Sequence, residues 1–291
     1  MIARKRLIRV VSIIVLVIIL VGAAVKFSLR NSLEPYATTE EGFFLSGDIQ
    51  IRYAFDVPKT SGPFPVVVIG HGSGKSTAAS RIRFSRKLVK HGIAVFRHDK
   101  RGVGKSEGVH SKAWSDLHLY AEDLAAAVSF IKDRPEVDPS RIGLMGTSQS
   151  GWVIPMATEL SQDVRFIILL SGPTVTTAEA NFFNSTASDA SLSMEDLSKR
   201  LKTFEKPVGD IDPLPYLEQF DGPGLWLYGA EDRVVPAAES AAILENLVQG
   251  SQKPFTVKIY KDGDHKLRHA ETGDPIDYWP DVLNWFDTTV K

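Results

Sequence analysis

The sequence predicts an α/β protein built on a mostly parallel central sheet flanked by helices. Three observations predict it. From residue 65 onward, short aliphatic runs alternate with segments of helical period. Several of these runs are apolar without alternation, as at 65–69 (P-V-V-V-I) and 164–170 (V-R-F-I-I-L-L), the mark of strands covered on both faces. Each run also ends in a cluster of small and polar residues, and the carboxyl edge of such a sheet is where ligands bind.

Taken in order, the chain opens with a different material. Arg4, Lys5, Arg6 and Arg9 precede an apolar run at 10–25 interrupted only by Ser12 and Gly22. At ~1.5 Å per residue the run spans ~24 Å, short of a ~30 Å hydrocarbon core. Counting 7–27, with Arg9 and Lys26 snorkelling, closes most of the gap. Residues 1–30 therefore read as an uncleaved signal anchor that contacts the membrane through 7–27. The basic cluster places the N-terminus in the cytoplasm and the rest of the chain outside. The alternative is a signal peptide cut after the small residues Gly22 and Ala24, which would release a secreted protein. A tether at 31–40 and one domain at 41–291 complete the expected organisation, and 291 residues suffice for a sizeable core. Lys and Arg (34) nearly balance Asp and Glu (35), so nothing points to a nucleic-acid partner. The absence of cysteine excludes thiol catalysis, cysteine-held metals and disulfides.

Residues 41–58 read as a hairpin about Ser46-Gly47-Asp48, with alternation at Ile49, Ile51, Tyr53 and Phe55. The strand at 65–69 runs into G-H-G-S-G-K-S-T, which invites comparison with a phosphate-binding loop. That pattern needs four residues between the glycine and G-K-[ST]. Gly70 and Gly74 are separated by three, so the cradle is one residue short and nucleotide binding is set aside. A helix at 83–90 leads to a strand at 93–96 and a turn-rich loop, D-K-R-G-V-G-K-S, at 99–106. Leu117, Tyr120, Leu124, Val128 and Ile131 give helical period to 117–132.

Next comes R-I-G-L-M-G-T-S-Q-S-G-W at 141–152. A short apolar strand, a turn of small residues and a helix at 152–160 form the context of a nucleophile elbow with Ser148 at its tip. Gly146 and Ser150 occupy the crowded places two before and two after it, where the pattern G-x-S-x-G has glycine twice. Ser150 as nucleophile would put Trp152 in a crowded place, where it does not fit. The amide of Gln149, in the first turn of the new helix, faces the space where an oxyanion would form. Pro155 falls early in that helix, where few bonds are lost. After the strand at 164–170, residues 174–221 are polar and carry two helical pieces, the second capped by Ser193-x-x-Asp196. They read as a small lid in which Phe182, Phe183 and Phe204 either glue the helices down or line an entrance. A strand at 224–228, a helix at 237–248, a strand at 255–260 and a helix at 279–286 close the chain.

Ser148, Asp232 and His265 each follow a predicted strand, in the order Ser…Asp…His. A serine hydroxyl needs a base, histidine titrates near working pH, and a carboxylate fixes its tautomer. Glu231 is the nearest competitor to Asp232. Five stretches then carry a resemblance: H-G-S-G at 71–74, D-K-R-G-V-G-K-S at 99–106, G-T-S-Q-S-G-W at 146–152, G-A-E-D-R-V-V-P at 229–236 and G-D-H at 263–265. From about residue 40 to its end, the chain resembles the α/β-hydrolase superfamily of serine hydrolases, in its esterase and dienelactone-hydrolase-like branch. The resemblance implies an α/β-hydrolase fold and cleavage of a small-molecule ester, with no metal or organic cofactor. It implies that the amide of Ser73 joins that of Gln149 in an oxyanion hole. His71 would be structural, and Asp99 and Arg101 would shape the sheet's edge without a catalytic role. The same triad in a peptidase or thioesterase is the alternative, followed by a non-catalytic binding protein.

Overall fold

The computed structural model describes residues 33–111 and 113–290, so the expected membrane segment at 1–30 lies outside the described residues. Among the described residues no helix is long and apolar enough to cross a membrane. Eight strands form one sheet in the order β1-β2-β4-β3-β5-β6-β7-β8. They are β1 (Ala37–Ser46), β2 (Ile49–Pro58), β3 (Phe64–Ile69), β4 (Ala94–His98), β5 (Val137–Thr147), β6 (Phe166–Leu170), β7 (Gly224–Gly229) and β8 (Phe255–Tyr260). β1 and β2 are antiparallel, β2 is antiparallel to β4, and every other pairing is parallel. The parallel strands therefore present all their carboxyl ends on one rim.

The β-branched runs divide by the two-residue period of a strand. Val66 and Val68 face one core, while Val67 and Ile69 face the other. The first core is covered by α2 (Leu117–Ile131), α3 (Ser150–Leu160) and α7 (Ala237–Ser251). The second lies under α1 (Ile82–Val89) and α8 (Trp279–Thr289), which bring Leu88, Val282 and Phe286. Fully burying an aliphatic or aromatic side chain contributes about 1.5–3 kcal/mol, so this double-faced burial dominates the sheet's stability.

The structure departs from the sequence reading in several places. The hairpin begins at Ala37, because β1 pairs with β2 along its whole length across a turn in which Gly47 takes φ 57°. Leu33 is buried and Tyr36 is held beneath Arg86 and Lys90, so the stretch read as a tether contributes packing from Leu33 onward. β5 starts at Val137, with a register shift that absorbs the polar residues before Ile142. The lid carries three helices where two were expected: α4 (Thr177–Thr186), α5 (Met194–Lys202) and α6 (Leu214–Gln219). The third is framed by Pro213 and Pro215, which mask a helical pattern yet suit a helix's first turn. Reciprocal capping boxes start α4 (Thr176 with Glu179) and α5 (Ser193 with Asp196). Phe183 is buried in the lid's own apolar cluster with Leu197 and Leu201, and Phe182 stacks on Phe204 at 4.5 Å.

Candidate active site

Ser148 stands at the end of β5 with φ 53°, a left-handed conformation costing about 1–2 kcal/mol for a residue with a Cβ. The conformation is held from both sides. The Ser148 amide donates to the Leu170 carbonyl at 3.0 Å, and the Ser148 carbonyl accepts from the Gly151 amide at 2.8 Å. A Cβ on Gly146 would stand 2.3 Å from the Ser150 side chain, so glycine is required there. The serine at the other crowded place is accommodated because it is small and its Oγ donates to the His71 carbonyl at 2.9 Å. Gly151 is under a tighter constraint, since an added Cβ would lie 2.4 Å from the Pro173 nitrogen. α3 begins at Ser150, two residues before its expected start. Pro155 is therefore its sixth residue and supplies no N–H to the Gly151 carbonyl one turn back.

His265 lies in the loop after β8, with Nε2 3.0 Å from Ser148 Oγ and Nδ1 2.8 Å from Asp232 Oδ2. Asp232 is fully buried, and its Oδ1 accepts the amides of Val234 at 2.8 Å and Val235 at 2.9 Å. One carboxylate oxygen thus braces the turn into α7 while the other faces the imidazole. Glu231 points to solvent, and what it contributes is its amide, which donates to the Gly263 carbonyl at 2.8 Å. That bond joins the loop carrying Asp232 to the loop carrying His265. The approach requires two glycines: a Cβ on Gly229 would lie 2.2 Å from the Gly263 oxygen. The other histidines sit elsewhere. His91 pairs with Asp287, His118 contacts the Ser115 carbonyl, and His269 is exposed.

The loop after β3 crosses above the elbow. A Cβ on Gly72 would be 3.7 Å from Ser148 Cβ, so the peptide that links Gly72 to Ser73 borders the serine. Gln149 is buried at the entrance to α3. His71 is buried under the loop, with Nε2 2.9 Å from the His98 carbonyl and its ring 4.5 Å from that of His98. Burial holds both imidazoles in the neutral form, His71 well below the usual histidine range and His98 at about 4. Asp99 accepts the amides of Ala78 (2.8 Å) and Lys105 (2.9 Å), and Arg101 forms a two-point ion pair with Asp123. Both brace the loop at the sheet's edge.

Sequence reasoning passed over Lys100, between those two. Its side chain is buried, and Nζ donates to Gln149 Oε1 at 2.7 Å and to the Gly72 carbonyl at 2.8 Å. The signal was present but unspecific: a lysine two residues past a buried strand, on the elbow's rim. Arg233 was passed over as well. It reaches from beside Asp232 to the carbonyls of Ala187, Asp189 and Leu192, between α4 and α5 of the lid. Among the described residues no cluster of His, Asp and Glu is arranged to hold a metal ion.

Comparison with known proteins agrees with this fold. Esterase EstD of Thermotoga maritima is 23% identical over 283 residues, covering 87% of this chain and 66% of EstD. The quorum-quenching protein AidA of Acinetobacter baumannii is 30% identical over 108 residues, or 37% of this chain and 35% of AidA. Thiohydrolase aneE of Aspergillus aculeatus is 32% identical over 139 residues, or 47% of this chain and 42% of its own. The chain thus matches less than half the length of the latter two. In fold it is similar to a Pyrococcus furiosus esterase, at TM-score 0.66 and 17% identity over 88% of this chain and 92% of that one. It is equally similar to the Pyrococcus horikoshii acylaminoacyl peptidase, at TM-score 0.66 and 18% identity over 88% of this chain and 42% of that one. The sequence profile of the family described as serine aminopeptidase, S33, matches residues 61–210. An α/β-hydrolase sheet, a strained serine at its elbow and that match lead to one assignment: the chain belongs to the serine aminopeptidase S33 family of α/β-hydrolase serine hydrolases.

Proposed function

We propose that the protein is a membrane-anchored serine hydrolase that cleaves carboxylic esters through an acyl-enzyme. The reading rests on one observation above the others: a single imidazole lies 3.0 Å from Ser148 Oγ and 2.8 Å from Asp232 Oδ2. In the first half-reaction Ser148 Oγ attacks the ester carbonyl and its proton passes to His265 Nε2. The Nδ1–H stays donated to Asp232, whose charge stabilises the imidazolium. The tetrahedral oxyanion accepts hydrogen bonds from the amides of Ser73 and Gln149, each worth ~3–4 kcal/mol where such donors have been removed. Collapse breaks the C–O bond, and His265 returns its proton to the leaving alcohol. Water, deprotonated by the same imidazole, then hydrolyses the acyl-enzyme and regenerates Ser148.

A second reading keeps the three residues and changes the bond. The family description names an aminopeptidase, and a relative's name describes a thiohydrolase. Turnover of matched ester, thioester and aminoacyl-amide substrates by the full-length protein decides, and the ester reading expects the ester to lead in kcat/KM. Fluorophosphonate labelling is expected in the wild type and absent from Ser148→Ala, whose kcat falls by at least ~10³-fold. Labelling that persists in the variant sinks the assignment. Anchoring through residues 7–27, with the catalytic domain extracytoplasmic, belongs to the same proposal. Its support is the apolar run behind a basic cluster, and the intact N-terminus should be recovered from washed membranes.

A further inference from the structure

Lys100 is a buried ammonium that makes no ion pair among the described residues, whereas Arg97 pairs with Asp56 and Arg101 with Asp123. Taking a charge out of water is costly unless its donors are satisfied. Here all three have acceptors: Gln149 Oε1 at 2.7 Å, the Gly72 carbonyl at 2.8 Å, and the face of the Tyr120 ring, whose centroid is 4.1 Å from Nζ. None of these needs a cation for its own sake, but two belong to segments that border Ser148.

The Gly72 carbonyl and the Ser73 amide are one peptide group. Among the described residues the only cis bond is Gly62–Pro63, so the 72–73 peptide is trans and its C=O and N–H point in opposite directions. Holding the carbonyl down on Lys100 therefore turns the Ser73 N–H up, away from the lysine. The second contact pins the side chain of Gln149, whose own amide opens α3 beside Ser148. Accordingly, we propose that Lys100 is a positioning residue that orients both oxyanion donors, Ser73 N–H and Gln149 N–H, from beneath. This rests on the hydrolase reading above. The ammonium would also polarise the 72–73 peptide, making its N–H a better donor as charge develops on the substrate oxygen.

The protonation state of Lys100 supports the same view. Burial, and then the Arg81 charge, pull its pKa down to about 8, while Asp123 acts in the opposite direction. His71 and His98, both neutral, and Tyr120 are the other titratable groups around it. The charged form that grips the carbonyl is thus present below about pH 8 and is lost above it.

Lys100→Met in the full-length protein tests the proposal. With p-nitrophenyl acetate, kcat is expected to fall roughly 10- to 100-fold with KM within twofold, because the donors are misdirected and not removed. Affinity for a boronic acid, which mimics the tetrahedral oxyanion, should fall in parallel. The wild type should also lose kcat as pH rises through about 8, and the variant should lack that limb. A folded K100M with kcat within twofold of wild type, or one that changes KM alone, overturns the role. If K100M does not fold, Gln149→Met decides together with the wild-type pH profile. A several-fold loss of kcat and an alkaline limb support the role, and the absence of either overturns it. A wild type that neither hydrolyses the ester nor takes up a fluorophosphonate overturns the hydrolase reading and this inference with it. An active wild type with an unaffected K100M overturns the inference alone.

Discussion

Ser150 shows how a departure from a motif can be absorbed at the level of one residue. Where the pattern has glycine, a hydroxymethyl group fits because its oxygen bonds the His71 carbonyl and fastens the elbow to the loop above it. Replacing it with alanine removes that bond, and unfolding in urea should report about 1 kcal/mol of lost stability. Gly151 offers no such latitude. Gly151→Ala would drive a methyl group to within 2.4 Å of the Pro173 nitrogen, which is backbone and cannot rotate away. A loss of roughly 1–3 kcal/mol is expected, together with reduced fluorophosphonate labelling as Ser148 shifts. The elbow was legible in the sequence because small residues at fixed offsets have few other uses. The distinct demands on Gly146, Ser150 and Gly151 were not, because they depend on which neighbour each residue meets.

Among the elements, the loop between β7 and α7 does two things at once. Asp232 faces His265, while the next residue, Arg233, spans the lid through the carbonyls of Ala187, Asp189 and Leu192. Ala180 and Leu217 seat part of the lid in the first core, and the guanidinium adds a polar fastening beside the small separate cluster around Phe183. A hydrogen bond from Ser198 to Glu239 assists it. Arg233→Ala is expected to raise KM several-fold with a smaller change in kcat, and to speed proteolytic nicking near 187–192 while leaving the sheet folded. An unchanged nicking pattern would show that the lid is held by its apolar contacts alone. The third lid helix and the early start of β5 escaped sequence reading for a shared reason: prolines and polar residues hid elements that tertiary pairing stabilises.

For the whole molecule, the buried histidine pair makes stability depend on pH. His98 is held at about 4, and His71 is also lowered by burial, whereas an unfolded chain's histidines take up protons near 6.5. Below that pH the unfolded state binds more protons, so the stabilisation is complete above about 6.5 and declines as pH falls toward 4. His98 alone would contribute on the order of 3 kcal/mol to that loss. Urea midpoints measured from pH 7 to pH 4.5 should fall less steeply in His98→Gln than in the wild type; equal slopes would refute the assignment.

By itself the sequence determined that buried parallel strands would align their carboxyl ends on one rim, and that Ser148, Asp232 and His265 would follow three of those strands. Period and turn chemistry are local properties, so they can be read along the chain. Only the tertiary structure decided which side chains stand within hydrogen-bond reach across that rim. Lys100 beneath two loops, Ser150 against the His71 carbonyl of one of them and Arg233 across the lid depend on distances between segments tens of residues apart. Such distances arise from how sheet and helices pack, and no local pattern encodes them.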